Sequence, residues 1–261
     1  MLLTADIGNT SITLGLFDNN TFVNKFRIAS DKDLPTEEYI VLIKSLLGEF
    51  SIEGCIIASV VEELSYKFKS AVDSVFKLNS ILVSNNLNLG IKVITDRPNE
   101  VGADRIANAV AASNLYKGAV IVIDFGTATS FDIINSKHEF MGGVIAPGLN
   151  TQMKCLKNAT SKLPKIEVST SPRAVGHNTT EAILSGVIRG SACMVEGLVK
   201  QCEQELGEKV TLVVTGGYSG LIANYLNRPF DFTNPILTLE GLKIIYNLNV
   251  KSKNPSDNIC S

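Results

Sequence analysis

Short apolar runs and turn residues alternate along the first half of the chain. Five runs have the length and composition of buried or half-buried strands, at residues 2–7, 12–17, 22–29, 55–60 and 80–84. Gly8-Asn9-Thr10-Ser11 joins the first two runs, which predicts a β-hairpin. Apolar positions at helical spacing predict helices over residues 36–47, 62–77 and 104–116, the first with Thr36 as its N-terminal cap.

The pattern restarts near residue 119. Apolar runs at 119–124 and 130–134 flank Asp124-Phe125-Gly126-Thr127, just as the first two runs flank Asp6-Ile7-Gly8-Asn9. A repeat at half the chain length indicates a duplicated domain, since the units of a solenoid are much shorter. The remainder predicts a strand at 210–214 and helices near 179–205, 219–226 and 239–248.

Strands and helices therefore alternate through two similar halves, which predicts the α/β class. We expect an N-terminal lobe over residues 1–117 and a C-terminal lobe over 118–238. Residues 239–261 are expected to form a terminal helix and, from Lys251, a loose polar tail.

The composition narrows the classes of function. Of 261 residues, 45% are hydrophobic and 19% are charged, so the chain has enough apolar residues to bury a core. A net charge of −2 and a pI of about 5.8 give no basic excess, so we expect no nucleic-acid partner. The N-terminus resembles no signal peptide, and no uncharged apolar run is long enough to predict a membrane span. Five cysteines without a C-x-x-C pair predict reduced thiols in a cytoplasmic protein.

Each Asp-x-Gly turn combines a carboxylate at a strand end with a glycine two residues later. Glycine allows the backbone to approach a ligand closely, and successive N–H groups in such a turn bind anions. The carboxylates of Asp6 and Asp124 would repel phosphate unless a cation lay between them, as it does in phosphoryl transfer. The alternative is that Asp, Gly and Asn merely form ordinary hairpin turns, but two copies at half-chain spacing favour the functional interpretation.

A third element supports a nucleotide site. The predicted strand at 210–214 runs into Gly216-Gly217, where a base and ribose could lie flat on the backbone. The chain has no Gly-x-x-x-x-Gly-Lys-Ser/Thr motif, which disfavours P-loop kinase chemistry.

Together these elements resemble the ATPase superfamily of actin, hexokinase and heat-shock chaperones, and more closely the type III pantothenate kinases. The resemblance extends over about residues 4 to 217 and rests on Asp6 to Thr10 with Gly15, Val101-Gly102-Ala103-Asp104-Arg105, Asp124 to Ser130, Gly142-Gly143 through Pro147-Gly148, and Thr215-Gly216-Gly217.

The resemblance implies two related actin-like (ribonuclease H-like) lobes and a homodimer. It also implies ATP-dependent phosphorylation of pantothenate to 4'-phosphopantothenate, the first step of coenzyme A biosynthesis, with Mg²⁺ and a monovalent cation, K⁺ or NH₄⁺. Carried over by position, the ATP-binding residues are Asp6, Ile7, Gly8, Asn9, Thr10, Ser11, Ile12, Thr13, Thr127, Gly216 and Gly217.

The remaining roles are carried over in the same way. Pantothenate contacts are implied for Gly102, Ala103, Asp104, Arg105 and Thr179, with Asp104 also the general base. Asp124 is implied to bind the monovalent cation, and Asp6 the divalent one through water. Arg105 could bind the carboxylate of pantothenate or phosphate oxygens, and the sequence leaves both open.

Several expectations concern individual residues. Asp104-Arg105 could simply begin a helix with a favourable acid, and Asp132 is expected to be an ordinary strand-end acid. Glu181 could face the site, although a solvated or structural role is favoured, and Arg189 is expected to be structural. The tyrosine that many members carry shortly before Val-Gly-x-Asp-Arg is absent from residues 95–100, so this wall of the substrate site must differ.

Two further points remain open. The family resemblance and the apolar helix near 179–205 predict a dimer in which Thr179 of one subunit lies near Asp104 of the other, although burial of this helix within its own lobe is an alternative. A non-catalytic transcriptional accessory factor of the same family is the alternative function, which Asp104-Arg105 beside two phosphate turns and the lack of a helix-turn-helix disfavour.

Overall fold

The computed structural model describes residues 1–159, 163–164 and 166–250. The expected loose tail from Lys251 lies outside the described residues. In chain order the strands are β1 (Leu2–Ile7), β2 (Ser11–Asp18), β3 (Thr21–Ala29), β4 (Gly54–Ser59), β5 (Ile81–Leu82), β6 (Lys92–Val93), β7 (Ala119–Phe125), β8 (Ala128–Ile134), β9 (Glu139–Pro147), β10 (Val210–Gly216) and β11 (Phe232–Thr233). The helices are α1 (Thr36–Leu47), α2 (Glu62–Phe76), α3 (Ala103–Leu115), α4 (Leu149–Ala159), α5 (Thr179–Leu184), α6 (Gly190–Leu206), α7 (Ser219–Ala223) and α8 (Leu237–Val250).

The chain forms two compact units. One contains Met1–Asn114 together with residues 236–250, and the other contains Leu115–Pro235. Residues 239–261 were predicted as a terminal helix and tail outside both lobes. The structure instead packs α8 in the first unit, where Leu242 and Ile245 are fully buried.

The sheet of the first unit has the strand order β3-β2-β1-β4-β5. Strands β1, β2 and β3 pair antiparallel, whereas β4 is parallel to β1 and β5 is parallel to β4. Helices α1 and α2 pack with one face of this sheet, and α3 and α8 pack with the other face. The predicted hairpin and the predicted helix at 36–47 are confirmed.

The predicted cap of α1 is wrong. Thr36 is the first helical residue, and Pro35 occupies the cap position with an extended backbone and no side-chain hydrogen bond. Glu37 and Glu38 lie in the first turn, where negative charge is favourable near the positive end of the helix dipole. Pro35 thus sets the entry into the helix by its fixed φ.

The second unit repeats the sheet pattern of the first. Its strands lie in the order β9-β8-β7-β10-β11, with β7, β8 and β9 antiparallel and β10 and β11 parallel to β7. Three antiparallel strands followed by two parallel ones therefore occur in the same chain order in both units. This confirms the predicted α/β class and the internal duplication.

A continuous helix of 28 residues, Thr179–Leu206, crosses the second unit and contains a π-helical turn at Ser185–Arg189. By length and composition alone it could span a membrane, although charged residues interrupt it, so it contains no long uncharged run. A core helix passes the same test. Leu184, Val187 and Val199 of this helix are buried in the core of the unit.

Candidate active site

The first Asp-x-Gly turn closes the hairpin between β1 and β2. The N–H of Gly8 donates to the carbonyl of Ser11 over 3.1 Å, and Asn9 and Thr10 are exposed at the tip. Ser30 holds the turn from outside, because its N–H donates to the carbonyl of Thr10 over 3.2 Å and its hydroxyl donates to the carbonyl of Gly8. The turn is therefore fixed in shape while its tip remains accessible.

The residues of this turn divide between the two faces of the sheet. Ile7 and Ile12 are fully buried in the core with α1 and α2, so only their backbone is available to a ligand. Asp6, Ser11 and Thr13 alternate with them and are half-buried on the opposite face. Of the residues predicted to bind ATP, these three therefore present side chains on one face of the hairpin.

Asp104 lies in the first turn of α3. Its Oδ1 accepts a hydrogen bond of 2.8 Å from the N–H of Arg105 and lies close above Gly102, where a β-carbon would come within 2.6 Å of it. That β-carbon would also approach Val60, the residue after β4. Because β4 pairs with β1, with Ala58 opposite Asp6, the Asp104 loop and the Asp6 turn share the carboxyl edge of one sheet.

The turn before Gly102 is held by Asn85. Its side-chain amide donates to the carbonyl of Pro98 over 2.6 Å, and that carbonyl also accepts from the N–H of Val101 over 3.2 Å. Within residues 95–100, the Oγ1 of Thr95 is inaccessible to solvent and has no hydrogen-bond partner in the described part of the chain. This segment contains no tyrosine.

In the second unit, Asp124 occupies the position on β7 that Asp6 occupies on β1. The following turn is closed by the N–H of Gly126, which donates to the carbonyl of Ala128 over 3.0 Å. The carbonyl of Thr127 accepts from the N–H of Gly148 over 3.0 Å and from the hydroxyl of Thr151 over 2.7 Å. The first turn of α4, a helix that the sequence analysis missed, is therefore attached to this loop.

The glycine turn, Gly216-Gly217, lies directly beside Asp124. Strand β10 pairs with β7, with Thr215 opposite Asp124, and Gly216 then takes a positive φ of 88°. A β-carbon on Gly216 would lie 2.6 Å from Asp124 Oδ1, so only glycine fits. A β-carbon on Gly217 would meet no atom within 4 Å, which leaves space for a ligand.

A hydrogen bond connects α4 to the glycine turn, because the side-chain amide of Asn150 donates to the hydroxyl of Tyr218 over 2.6 Å. The Asp124 turn, the start of α4 and Gly216-Gly217 therefore meet at one edge of the second sheet.

Thr179 is the exposed first residue of α5 and belongs to a capping arrangement. The side chain of Asn178 accepts from the N–H of Glu181 over 2.9 Å, and Glu181 Oε2 accepts from the N–H of His177 over 3.0 Å. The hydrogen bond from His177 is the largest cause of a lowered pKa for Glu181, to which the nearby Arg173 also contributes. Glu181 is therefore structural here, as expected.

Arg189 is also structural, as expected. It donates to the hydroxyl and the carbonyl of Ser171, each over 3.2 Å, and its guanidinium lies 5.0 Å from the centre of the Tyr225 ring.

Two polar residues of β8 differ from expectation. Asp132 is not at a strand end but in the middle of β8, opposite Val122 and Gly143, and it is fully buried. Thr129, next to the second turn, is also fully buried, and its Oγ1 has no hydrogen-bond partner among the described residues. The sequence alone could not show either fact, because strand ends and burial depend on pairing with β9.

The arrangement suits cations that bind together with phosphate. No group of three or more His, Cys, Asp and Glu side chains could hold a metal by itself in the part of the chain that the structure describes. Mg²⁺ in nucleotide sites binds through one or two carboxylates plus phosphate oxygens and water, and a single carboxylate such as Asp6 fits that role. At Asp124, a β-carbon on Gly216 would lie 2.6 Å from Oδ1 and 2.6 Å from the backbone oxygen of Phe125, so both oxygens lie close to this glycine.

Comparison with known proteins decides the family. The sequence profile of type III pantothenate kinases matches residues 2–201. A type III pantothenate kinase of Dehalococcoides mccartyi (strain CBDB1) is 42% identical over 253 residues, which cover 95% of this chain and 96% of that protein. The chain belongs to the type III pantothenate kinase family. A type III pantothenate kinase of Exiguobacterium sp. (strain ATCC BAA-1283 / AT1b) is 38% identical over 96% of this chain and all of that protein.

Solved structures agree on the fold of this type III pantothenate kinase family member. A Campylobacter jejuni protein named for the Baf family of transcriptional activators superposes with a TM-score of 0.62 at 22% identity, covering 97% of this chain and 98% of that one. The activator of 2-hydroxyisocaproyl-CoA dehydratase from Clostridium difficile, solved with bound ADPNP, gives 0.55 at 14% identity over 100% and 99% of the two chains. At these identities the likeness shows the fold alone. The predicted actin-like fold and the predicted kinase family are confirmed.

Proposed function

We propose that the chain transfers the γ-phosphoryl group of ATP to the primary hydroxyl of pantothenate, forming 4'-phosphopantothenate. Family membership over nearly the full length supports the reaction class. The observation that carries the proposal for the site is that Gly102 to Arg105 lie at the same sheet edge as the Asp6 turn. A substrate carboxylate or hydroxyl and a phosphate group could therefore be bound side by side in the first unit.

In this proposal Asp104 is the general base. A kinase needs a carboxylate within hydrogen-bond reach of the attacking hydroxyl, and a base of this kind contributes about 10²–10⁴-fold to the rate. Gly102 is required because a larger residue would displace the Asp104 carboxylate. Asp104 then receives the proton of the substrate hydroxyl as the oxygen attacks the phosphorus.

Arg105 supplies a guanidinium next to the base. It binds either the carboxylate of pantothenate or phosphate oxygens, both of which accept two parallel hydrogen bonds from a guanidinium. Pantothenyl alcohol, which lacks the carboxylate, separates the two roles. If Arg105 binds the carboxylate, Arg105→Gln slows the reaction of pantothenate and leaves that of pantothenyl alcohol unchanged.

We assign the nucleotide and cation contacts as the sequence indicated. The backbone of Gly8 to Thr13 and the Thr127 turn bind the phosphates of ATP, and Gly216-Gly217 lies under the nucleoside. Asp6 binds Mg²⁺ through water, and Asp124 binds K⁺ or NH₄⁺. The cations would neutralise phosphate charge next to the two carboxylates, which by themselves would repel ATP.

We further propose a cytoplasmic homodimer in which Thr179 contributes to the pantothenate site of the partner. Along the long helix, Ala182, Gly186, Gly190, Cys193 and Gly197 are exposed and small or apolar. The larger side chains Leu184 and Val187 instead pack within their own unit. Mixing inactive Asp104→Asn with inactive Thr179→Arg tests the shared site, because subunit exchange restores one intact site per mixed dimer. No recovery despite demonstrated exchange would refute it.

The test of the reaction is direct. Purified protein is incubated with MgATP, KCl and radiolabelled pantothenate, and a panel of sugars is tested in parallel. We expect labelled phosphopantothenate and no phosphorylated sugar. Phosphorylation of a sugar in place of pantothenate, or formation of phosphopantothenate without ATP, would overturn the proposal. No observation favours a transcriptional role over the kinase.

A further inference from the structure

Strand β3 places a basic residue in line with the first Asp-x-Gly turn. Asp6 on β1 is directly opposite Thr13 on β2, and Thr13 is directly opposite Arg27 on β3. Directly opposed residues on neighbouring strands point to the same face of a sheet. Asp6, Thr13 and Arg27 therefore form one row on the face away from the Ile7 and Ile12 core.

Arg27 is held towards the turn. Its Nε donates a hydrogen bond of 2.9 Å to the hydroxyl of Ser11, a residue of that turn. Arg27 is exposed and has no carboxylate partner among the described residues. A guanidinium fixed at Nε has its two terminal nitrogens directed away from the tether, and these carry four further N–H donors.

The first Asp-x-Gly turn carries no positive charge of its own, and Arg27 supplies one. None of the residues from Asp6 to Thr13 is basic, so the expected ATP-binding residues of the hairpin bring one negative charge and no positive one. The equivalent row in the second unit is Asp124, Ser130 and Ile145, which contains no cation. Arg27 is therefore the only positive charge in either row.

The spacing fits a phosphate group. Adjacent strands lie about 4.8 Å apart, so the Cα atoms of Asp6 and Arg27 are separated by about 10 Å across the sheet. That distance leaves room for a carboxylate-bound cation and a phosphate between the two side chains. Guanidinium binds phosphate with two parallel hydrogen bonds, which are roughly twice as strong as neutral ones.

We propose that Arg27 binds the phosphate groups of ATP, with Ser11 orienting its guanidinium. The inference rests on the proposed function for the identity of the nucleotide. It assigns to Arg27 a direct contact with the polyphosphate that no backbone turn supplies, and it gives Ser11 two roles, as part of the turn and as the tether.

Nucleotide binding tests the proposal without turnover. Isothermal titration calorimetry compares MgATP and AMP on the wild type, Arg27→Gln, Arg27→Lys and the matched control Lys25→Gln. Lys25 lies two residues earlier on the same strand and face, opposite Gly15, so its loss removes an equal charge beside the row. Circular dichroism melting confirms that each variant is folded.

We expect Arg27→Gln to weaken MgATP binding by about 10- to 100-fold, the effect of losing a charge-assisted contact, and to leave AMP binding unchanged. Arg27→Lys should lie between the wild type and Arg27→Gln, because it keeps the charge and loses the tether to Ser11. The kcat/KM for ATP should fall in parallel.

Three results would overturn the proposal: a loss of MgATP affinity smaller than about threefold in Arg27→Gln, an equal loss for AMP, or an equal loss in Lys25→Gln. Failure of the proposed function is distinguishable, because it would show as wild-type protein that binds MgATP but does not phosphorylate pantothenate.

Discussion

The carboxylate of Asp104 lies so close to Gly102 that a β-carbon at residue 102 would come within 2.6 Å of Oδ1. Gly102 precedes the helix and Asp104 lies in its first turn, so the glycine provides the space in which the carboxylate sits. The position of the proposed base therefore depends on the absence of a side chain two residues earlier.

Gly102→Ala should lower kcat by at least about tenfold while the protein remains folded, because the displaced carboxylate loses its alignment with the substrate hydroxyl. Steady-state kinetics and thermal melting measure the two effects. Gly220→Ala is the matched control, since its β-carbon meets no atom within 4 Å. An alanine at residue 102 with normal kcat would show that the carboxylate position is not critical.

Potassium dependence should follow Asp124. We expect wild-type activity to be much higher in KCl or NH₄Cl than in NaCl at equal ionic strength, and Asp124→Ala to abolish both the activity and the dependence. Asp6→Ala should also strongly reduce activity, because the variant loses the carboxylate proposed to bind Mg²⁺. Wild-type protein equally active in sodium and potassium would argue against the role proposed for Asp124.

Gly216→Ala should weaken nucleotide binding for a different reason. Residue 216 has a positive φ, and its β-carbon would press on Asp124 and on the backbone of Phe125. Such a substitution strains the turn whatever the ligand. Calorimetry with MgATP should show a loss of at least about tenfold in affinity, and unchanged affinity would mean that the turn does not contact the nucleotide.

The sequence predicted the parts of the site that depend on local backbone chemistry. The hairpin around Gly8 and the strand that ends at Gly216 are marked by turn glycines after apolar runs, and both are confirmed. Strand β9 and helix α4 were missed, because Gly142, Gly143 and Pro147 are typical of loops and the helix sequence is largely polar.

The rest depended on register and burial, which no local pattern reveals. Arg27 is an ordinary basic residue on an exposed strand, and only the pairing of three strands aligns it with Asp6. Asp132 is similar, because its burial arises from its two neighbouring strands.

Asp73 should make the first unit sensitive to acid. Burial raises its pKa, but hydrogen bonds from Lys69 and from the N–H and hydroxyl of Ser80 outweigh burial, so the pKa is lowered overall. A lowered pKa in the folded state contributes stability above the unfolded value, about 3.9, which is lost as the pH falls through the folded value.

Asp73→Asn should therefore lower the free energy of unfolding by about 1.5–3 kcal/mol at pH 7, the usual range for hydrogen bonds to a charged group. The difference from the wild type should shrink below about pH 4. Urea titrations at both pH values measure this, with Asp33→Asn as an exposed control. A difference that is independent of pH would contradict the electrostatic explanation.

The most direct measurement is the turnover of Asp104→Asn with radiolabelled pantothenate, MgATP and KCl, alongside wild-type protein and a thermal melt of both. Asparagine keeps the shape of the side chain and removes its basicity. The proposed mechanism predicts phosphopantothenate from the wild type and a fall in kcat of about 10²–10⁴-fold in the variant, with an unchanged melting temperature. A variant that is as active as the wild type would contradict the assignment of Asp104 as the base.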